Sequence, residues 1–146
     1  MNDDILQALR RLTRSARDAQ RGFMLAAADA RASSLRSVLE RHAVQSATFA
    51  VELSNAVRTG GAKPARAGSV AGLVHRGWIR FRELVEGKSD ALLIEECAAG
   101  ERTLAKRYLE TMDDPAFSRW SPEIRDAIES QYGVVQATEQ ELSQLR

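Results

Sequence analysis

The sequence predicts an all-α protein, a four-helix bundle of two antiparallel helical hairpins with a shorter crossover helix between them. Three observations predict it. Four long stretches carry apolar residues at alternating steps of four and three, the spacing of one buried helical face. Apolar residues make up 44% of the 146 and aromatic residues only 5%, a mixture suited to Leu- and Ala-packed helices rather than to sheets. The three prolines, Pro64, Pro115 and Pro122, fall between these stretches or at the start of one.

The first helix is expected over about residues 3–30, with Ile5, Leu9, Leu12, Ala16, Ala19, Phe23, Ala26 and Ala30 along its seam. Asn2, Asp3 and Asp4 suit its N-terminus. Gly22, beside Phe23, costs about 1 kcal/mol against Ala inside a helix and is expected to admit a close neighbour. The second helix is expected over residues 34–58, capped by Ser33 or Ser34 and ended by Gly60-Gly61. Leu35, Leu39, His42, Ser46, Phe49, Leu53 and Ala56 face inward. So short a break between the two makes them an antiparallel hairpin.

Residues 59–67, TGGAKPARA, read as the first real loop. A shorter helix follows over residues 70–85, opened by Ser69 and closed by Gly87, with Val70, Val74, Trp78, Phe81 and Val85 on its apolar side. Ser89-Asp90 caps a helix over residues 90–112 that turns Ile94, Cys97, Glu101, Leu104 and Tyr108 inward, and Asp113-Asp114-Pro115 stops it. Ser121-Pro122-Glu123 starts the last helix, residues 122–145, whose seam holds Ile124, Ile128, Gln131, Val135, Thr138, Leu142 and Leu145. The order long, long, short, long, long is that of a single ferritin-like domain, with the third helix as the crossover.

Composition narrows the function classes. One cysteine, Cys97, allows no internal disulfide and fits a reducing compartment. The N-terminus has no apolar signal region and no run reaches membrane-spanning length, so a cytoplasmic protein without membrane contact is expected. The net charge is +1, with the basic residues weighted to the first half and the acids to the second, which argues against a dedicated nucleic-acid partner. Arg10, Arg14, Arg17 and Arg21 form a basic stripe, expected to bridge to Glu123, Asp126, Glu129, Glu139 and Glu141 of the last helix. No phosphate-binding glycine loop and no nucleophile elbow is present.

A set of local motifs carries a resemblance. They are Gly22-Phe23 with the Ala-rich run to Asp29, Phe49-Ala50-Val51-Glu52-Leu53, Gly60-Gly61, Gly68-Ser69-Val70-Ala71-Gly72, His75-Arg76-Gly77-Trp78, Glu96-Cys97, Gly100-Glu101, Tyr108 and Gln131-Tyr132. Together they resemble the bacterial ferritin-like four-helix-bundle family catalogued as domain of unknown function 2383. The most specific part is Gly68, Ser69 and Gly72 followed by His75, Arg76 and Trp78. The resemblance implies the fold and no established activity. It also implies acids just before Gly-Phe, four before the Phe of the second helix and after Glu-Cys, and a His in the last helix. Those places here hold Arg21, Gln45, Ala98 and Thr138.

A di-iron or di-manganese carboxylate bundle needs inward Glu residues and Glu-x-x-His pairs. The chain has no Glu-x-x-His, and its two histidines are His42 and His75. Glu52, Glu96 and Glu101 are the remaining metal-ligand candidates for an oxidoreductase or metal-storage reading, so no catalytic residue, no cofactor and no resident iron or manganese is the primary expectation. Glu101 falls on the seam, where an acid needs a partner such as Gln131, His42 or an arginine. Cys97 reads as an inert core thiol, and His75-Arg76-Gly77-Trp78 as a docking surface for the crossover. Function is expected through self-association into a homo-oligomer or contact with a protein partner.

Overall fold

The computed structural model describes residues 3–59 and 89–145. These form four α-helices, α1 Asp3–Asp29, α2 Ser33–Thr59, α3 Asp90–Asp113 and α4 Pro122–Gln144. A 3-10 turn at Pro115–Arg119 lies between the last two. The expected loop at 59–67 beyond Thr59, the helix at 70–85 and the signature residues Gly68, Ser69, Gly72, His75, Arg76 and Trp78 lie outside the described residues.

α1 packs on α2 and α3 on α4, as two hairpins; α1 also packs along α3, and α4 touches α2. Named contacts fix the directions. Asp90, at the start of α3, accepts the backbone N–H groups of Arg31 (2.8 Å) and Ala32 (2.9 Å) at the turn between α1 and α2. α3 therefore begins where α1 ends, and runs antiparallel to it. α4 returns along α3, bringing Leu142 against the apolar cluster of Phe23, Leu35, Leu39 and Ile94 at that same end. Thr59 closes α2 at the opposite end of the bundle. At 1.5 Å per residue, α2 is about 40 Å long, so Thr59 and Asp90 stand about one helix length apart.

Among the described residues the caps follow local chemistry, with one exception; Asn2, expected at the start of α1, lies outside them. Ser89 Oγ accepts from Leu92 N–H at 3.4 Å, and Ser121 Oγ from Ile124 N–H at 3.4 Å with Pro122 next in sequence. α2 departs from expectation. Neither Ser33 nor Ser34 caps it, since both already lie inside the helix, and Asp90 takes the amides just before it.

Apolar burial is split between two clusters. One, at the α1–α2 turn, includes Phe23, Ala26, Leu35, Leu39, Ile94, Cys97 and Leu142. The other includes Leu9, Leu12, Leu53, Val57, Leu104, Tyr108 and Ile128, and Phe117 and Trp120 from the 3-10 turn. Phe117 and Trp120 meet edge to face, centroids 5.3 Å apart at 65°, a favoured aromatic geometry. Phe49 and Ala56, expected inward, are only half-buried. Ala50, Ser54 and Val57 are buried, because a straight helix drifts against a strict heptad.

The basic stripe also differs from expectation. α1 packs against α2 and α3, whereas the α4 acids Glu141 and Glu139 pair with Arg41 of α2 and Arg102 of α3 (3.4 Å). Arg17 instead reaches Ser54 of α2 at 3.5 Å, and Arg14 and Arg21 flank Asp18 on their own helix.

Candidate functional site

The polar interior is built one helix at a time. Thr13 and Ser46 are buried but harmless, because each hydroxyl donates to the carbonyl one turn earlier, Leu9 at 2.7 Å and His42 at 3.0 Å. Gln131 comes from α4, Tyr108 from α3 and Glu52 from α2. The Tyr108 hydroxyl donates to Gln131 Oε1 at 2.6 Å, and Gln131 Nε2 donates to Glu52 Oε2 at 2.9 Å. This relay joins three helices through side chains, and burial pushes the Tyr108 phenol up, so it stays a donor.

One to two turns away, Thr138 faces Gln45. The Thr138 hydroxyl spends its one proton on the Val134 carbonyl at 3.0 Å, and Gln45 Oε1 lies 3.5 Å away, at the limit of hydrogen-bond length. Gln45 and Thr138 are two of the places where the family resemblance implies an acid and a histidine. The structure brings them together as neutral groups.

His42 is buried between Phe23 (ring centroids 5.5 Å apart) and Glu141, whose Oε2 lies 3.5 Å from Nε2. Neither ring nitrogen makes a hydrogen bond of good geometry, so the Glu141 contact is electrostatic at most. Burial lowers the His42 pKa, against the opposing pull of Glu141, and the ring is neutral at pH 7.

Glu101 is 4% exposed, inward as its seam position predicts. Its expected partners are otherwise engaged: Gln131 is committed to Tyr108 and Glu52, and His42 faces Glu141. Among the described residues no hydrogen bond or ion pair reaches it. Burial, with the Glu139 charge adding to it, pushes its pKa up to about 8, so at neutral pH it is largely a carboxylic acid. It lines a groove of about 270 Å³ between α1 and α3, walled by Ala19, Phe23, Cys97 and Leu104 and rimmed by Asp18, Glu96 and Arg107.

Two glycines border this groove, Gly22 on α1 and Gly100 on α3. A Cβ at either meets nothing within 4 Å. Gly22 therefore does not serve a close helix contact, as its sequence context suggests; it leaves space. Cys97 is buried, and burial together with Glu101 and Glu96 pushes its thiol up to about 12, far from the thiolate a nucleophile needs.

The metal-ligand candidates do not converge. Glu52 and Glu96 are exposed, the first tied to Gln131 and the second on the rim of the groove, and only Glu101 is interior. Among the described residues no three of His, Cys, Asp and Glu stand where they could share an ion. This donor set does not fit a di-iron or di-manganese centre.

Compared with known families, residues 4–114 match the family described as domain of unknown function DUF2383. The chain belongs to that family. The DUF2383 match ends at Asp114, so α4, which supplies Gln131 and Thr138 to the interior, lies beyond the matched span. No curated protein matches the chain. No helix among the described residues of this DUF2383 domain is long and apolar enough to cross a membrane.

Proposed function

We propose that this DUF2383 domain is a ferritin-like bundle that works without catalysis, in a cytoplasmic setting, by pairing with a second copy of itself through the α1–α2 face. The direction of the helices supports the ferritin-like reading, since α2 ends and α3 begins at opposite ends of the bundle. The observation that carries the pairing is an exposed apolar stripe. Met24, Val44 and Val51 are 57%, 68% and 56% exposed and line a groove of about 540 Å³ with Ala47 and Thr48. Large exposed apolar residues gathered on one face mark contact surfaces more than scattered ones do.

A second copy fits this face by register. A two-fold axis between Ala47 and Thr48, with the two α2 helices antiparallel, sets Val44 of each copy on Val51 of the other. It also sets Glu40 opposite Asn55, one turn from Arg58, so the rim pairs opposite charges. Sedimentation of the purified protein is expected to show a dimer at micromolar concentration, and the Val44→Arg/Val51→Arg variant a monomer with unchanged helicity. A monomer in the parent protein at high micromolar concentration would overturn the pairing. Stoichiometric uptake of iron or manganese, abolished by Glu101→Ala, would place the domain among metal-binding proteins instead.

A further inference from the structure

We propose that the groove between α1 and α3 binds a small organic amine, its apolar body between Phe23 and Leu104 and its ammonium on the Glu101 carboxyl group. Three independent features lead there. Glu101 is almost wholly buried, lines the groove and has no hydrogen-bonding or ionic partner among the described residues. An unpaired acid in such a place costs free energy that a ligand donor would recover. The volume of about 270 Å³ and the apolar walls suit a compact, mostly hydrocarbon body.

Gly22 and Gly100 are the second feature. An alanine at either place would raise helix propensity and collide with nothing, so neither glycine is demanded by the packing of α1 on α3. Both keep the groove open. The third feature is charge. Asp18 on α1 and Glu96 on α3 face the groove with Glu101, and Glu139 of α4 adds a further negative charge behind it. Among the described residues of the lining Arg107 is the one cation, with Arg14 and Arg21 beside Asp18 outside it. Cys97, also on α3, is a neutral thiol there. The balance favours a cation, and the spread of the acids favours one with its charge on a long body over a compact metal ion.

Binding is coupled to a proton. Glu101 holds one at neutral pH; as the ammonium arrives, the carboxyl proton leaves to solvent and a carboxylate–ammonium hydrogen bond replaces it. No covalent bond is made or broken otherwise. The α1–α2 face takes no part, so this inference stands apart from the pairing proposed above.

The probes are 2-phenylethylamine and its neutral isostere 2-phenylethanol, titrated into the full chain at pH 7 by calorimetry and by chemical-shift mapping. The amine is expected to bind at least about tenfold more tightly than the alcohol, with shifts at Gly22 and Gly100. Glu101→Gln, a near-isostere, should bring the amine down to the affinity of the alcohol. Gly100→Leu, which fills the groove while strengthening the helix, should remove binding of both. Val44→Arg should leave the amine's affinity unchanged. Equal affinity for the two probes, undiminished amine binding by Glu101→Gln, or no binding of the amine at millimolar concentration would each overturn the proposal.

Discussion

Glu101 is the residue at which folding and chemistry conflict. Its heptad position sends it inward, and among the described residues no hydrogen-bond donor reaches it there. The sign of the consequence follows from proton linkage. In the unfolded chain the group loses its proton near pH 4.5; in the folded chain it keeps it to about pH 8. Between those values the native state binds more protons, so stability falls as pH rises and levels off above about 8. Glu101→Gln, which cannot ionise, removes that slope. Denaturation of the two proteins should give similar stabilities near pH 4 and a growing advantage for the variant through pH 8, of the order of a few kcal/mol. Parallel stability curves across that range would show that Glu101 titrates normally. The inward position of Glu101 was legible from spacing alone. Its isolation was not, because it depends on Gln131 being taken by Tyr108 and Glu52, residues far away in sequence.

At the scale of elements, the turn between α1 and α2 is held by a side chain from a third helix. Asp90 accepts two backbone N–H groups there, and although partial burial pulls the other way, those donors with Arg31 and Arg36 hold its carboxyl below the usual range. A helix N-terminus leaves amides that local caps normally satisfy. Here Ser33 and Ser34 offered a local cap that the structure does not use, and the long-range one carries no signal in a linear pattern. Asp90→Ala should cost about 1–2 kcal/mol in urea denaturation, whereas Ser34→Ala should be close to neutral. Because the Asp90 pKa is lowered, its contribution is whole above about pH 4 and fades as the pH falls through its folded value. An Asp90→Ala protein as stable as the parent would show that the contact only accompanies the turn. Four helix extents were, by contrast, readable to within a residue or two, and so was the seam of α4 from Ile128 to Leu142, since each rests on one repeating period. Leu145, expected on that seam, is exposed at the helix end.

At the scale of the molecule, the order of helices around the bundle decides which charges and which cores meet, and no local pattern encodes it. The basic stripe of α1 and the acids of α4 look complementary in sequence, yet α1 packs on α2 and α3 while Glu141 and Glu139 of α4 pair with α2 and α3. The same arrangement sets two apolar clusters at opposite ends, with Glu101 on α3 and Thr138 on α4 as buried polar residues between them, while Gln131 sits within the second cluster between Ile128 and Val135. Leu39 belongs to one cluster and Ile128 to the other, and both are fully buried. Leu39→Ala should cost about 2–5 kcal/mol and Ile128→Val about 0.5–1.5 kcal/mol. Sites that share no partners add, so the double variant should lose the sum of the two to within about 0.5 kcal/mol. Tyr108→Phe sits on the relay and strands the Gln131 acceptor, so its cost should not add simply with that of Glu52→Ala, which strands the amide of the same side chain. Urea denaturation of both cycles separates the cases. Coupling above about 1 kcal/mol between Leu39 and Ile128 would mean that the two clusters act as one core and that the polar layer does not divide them.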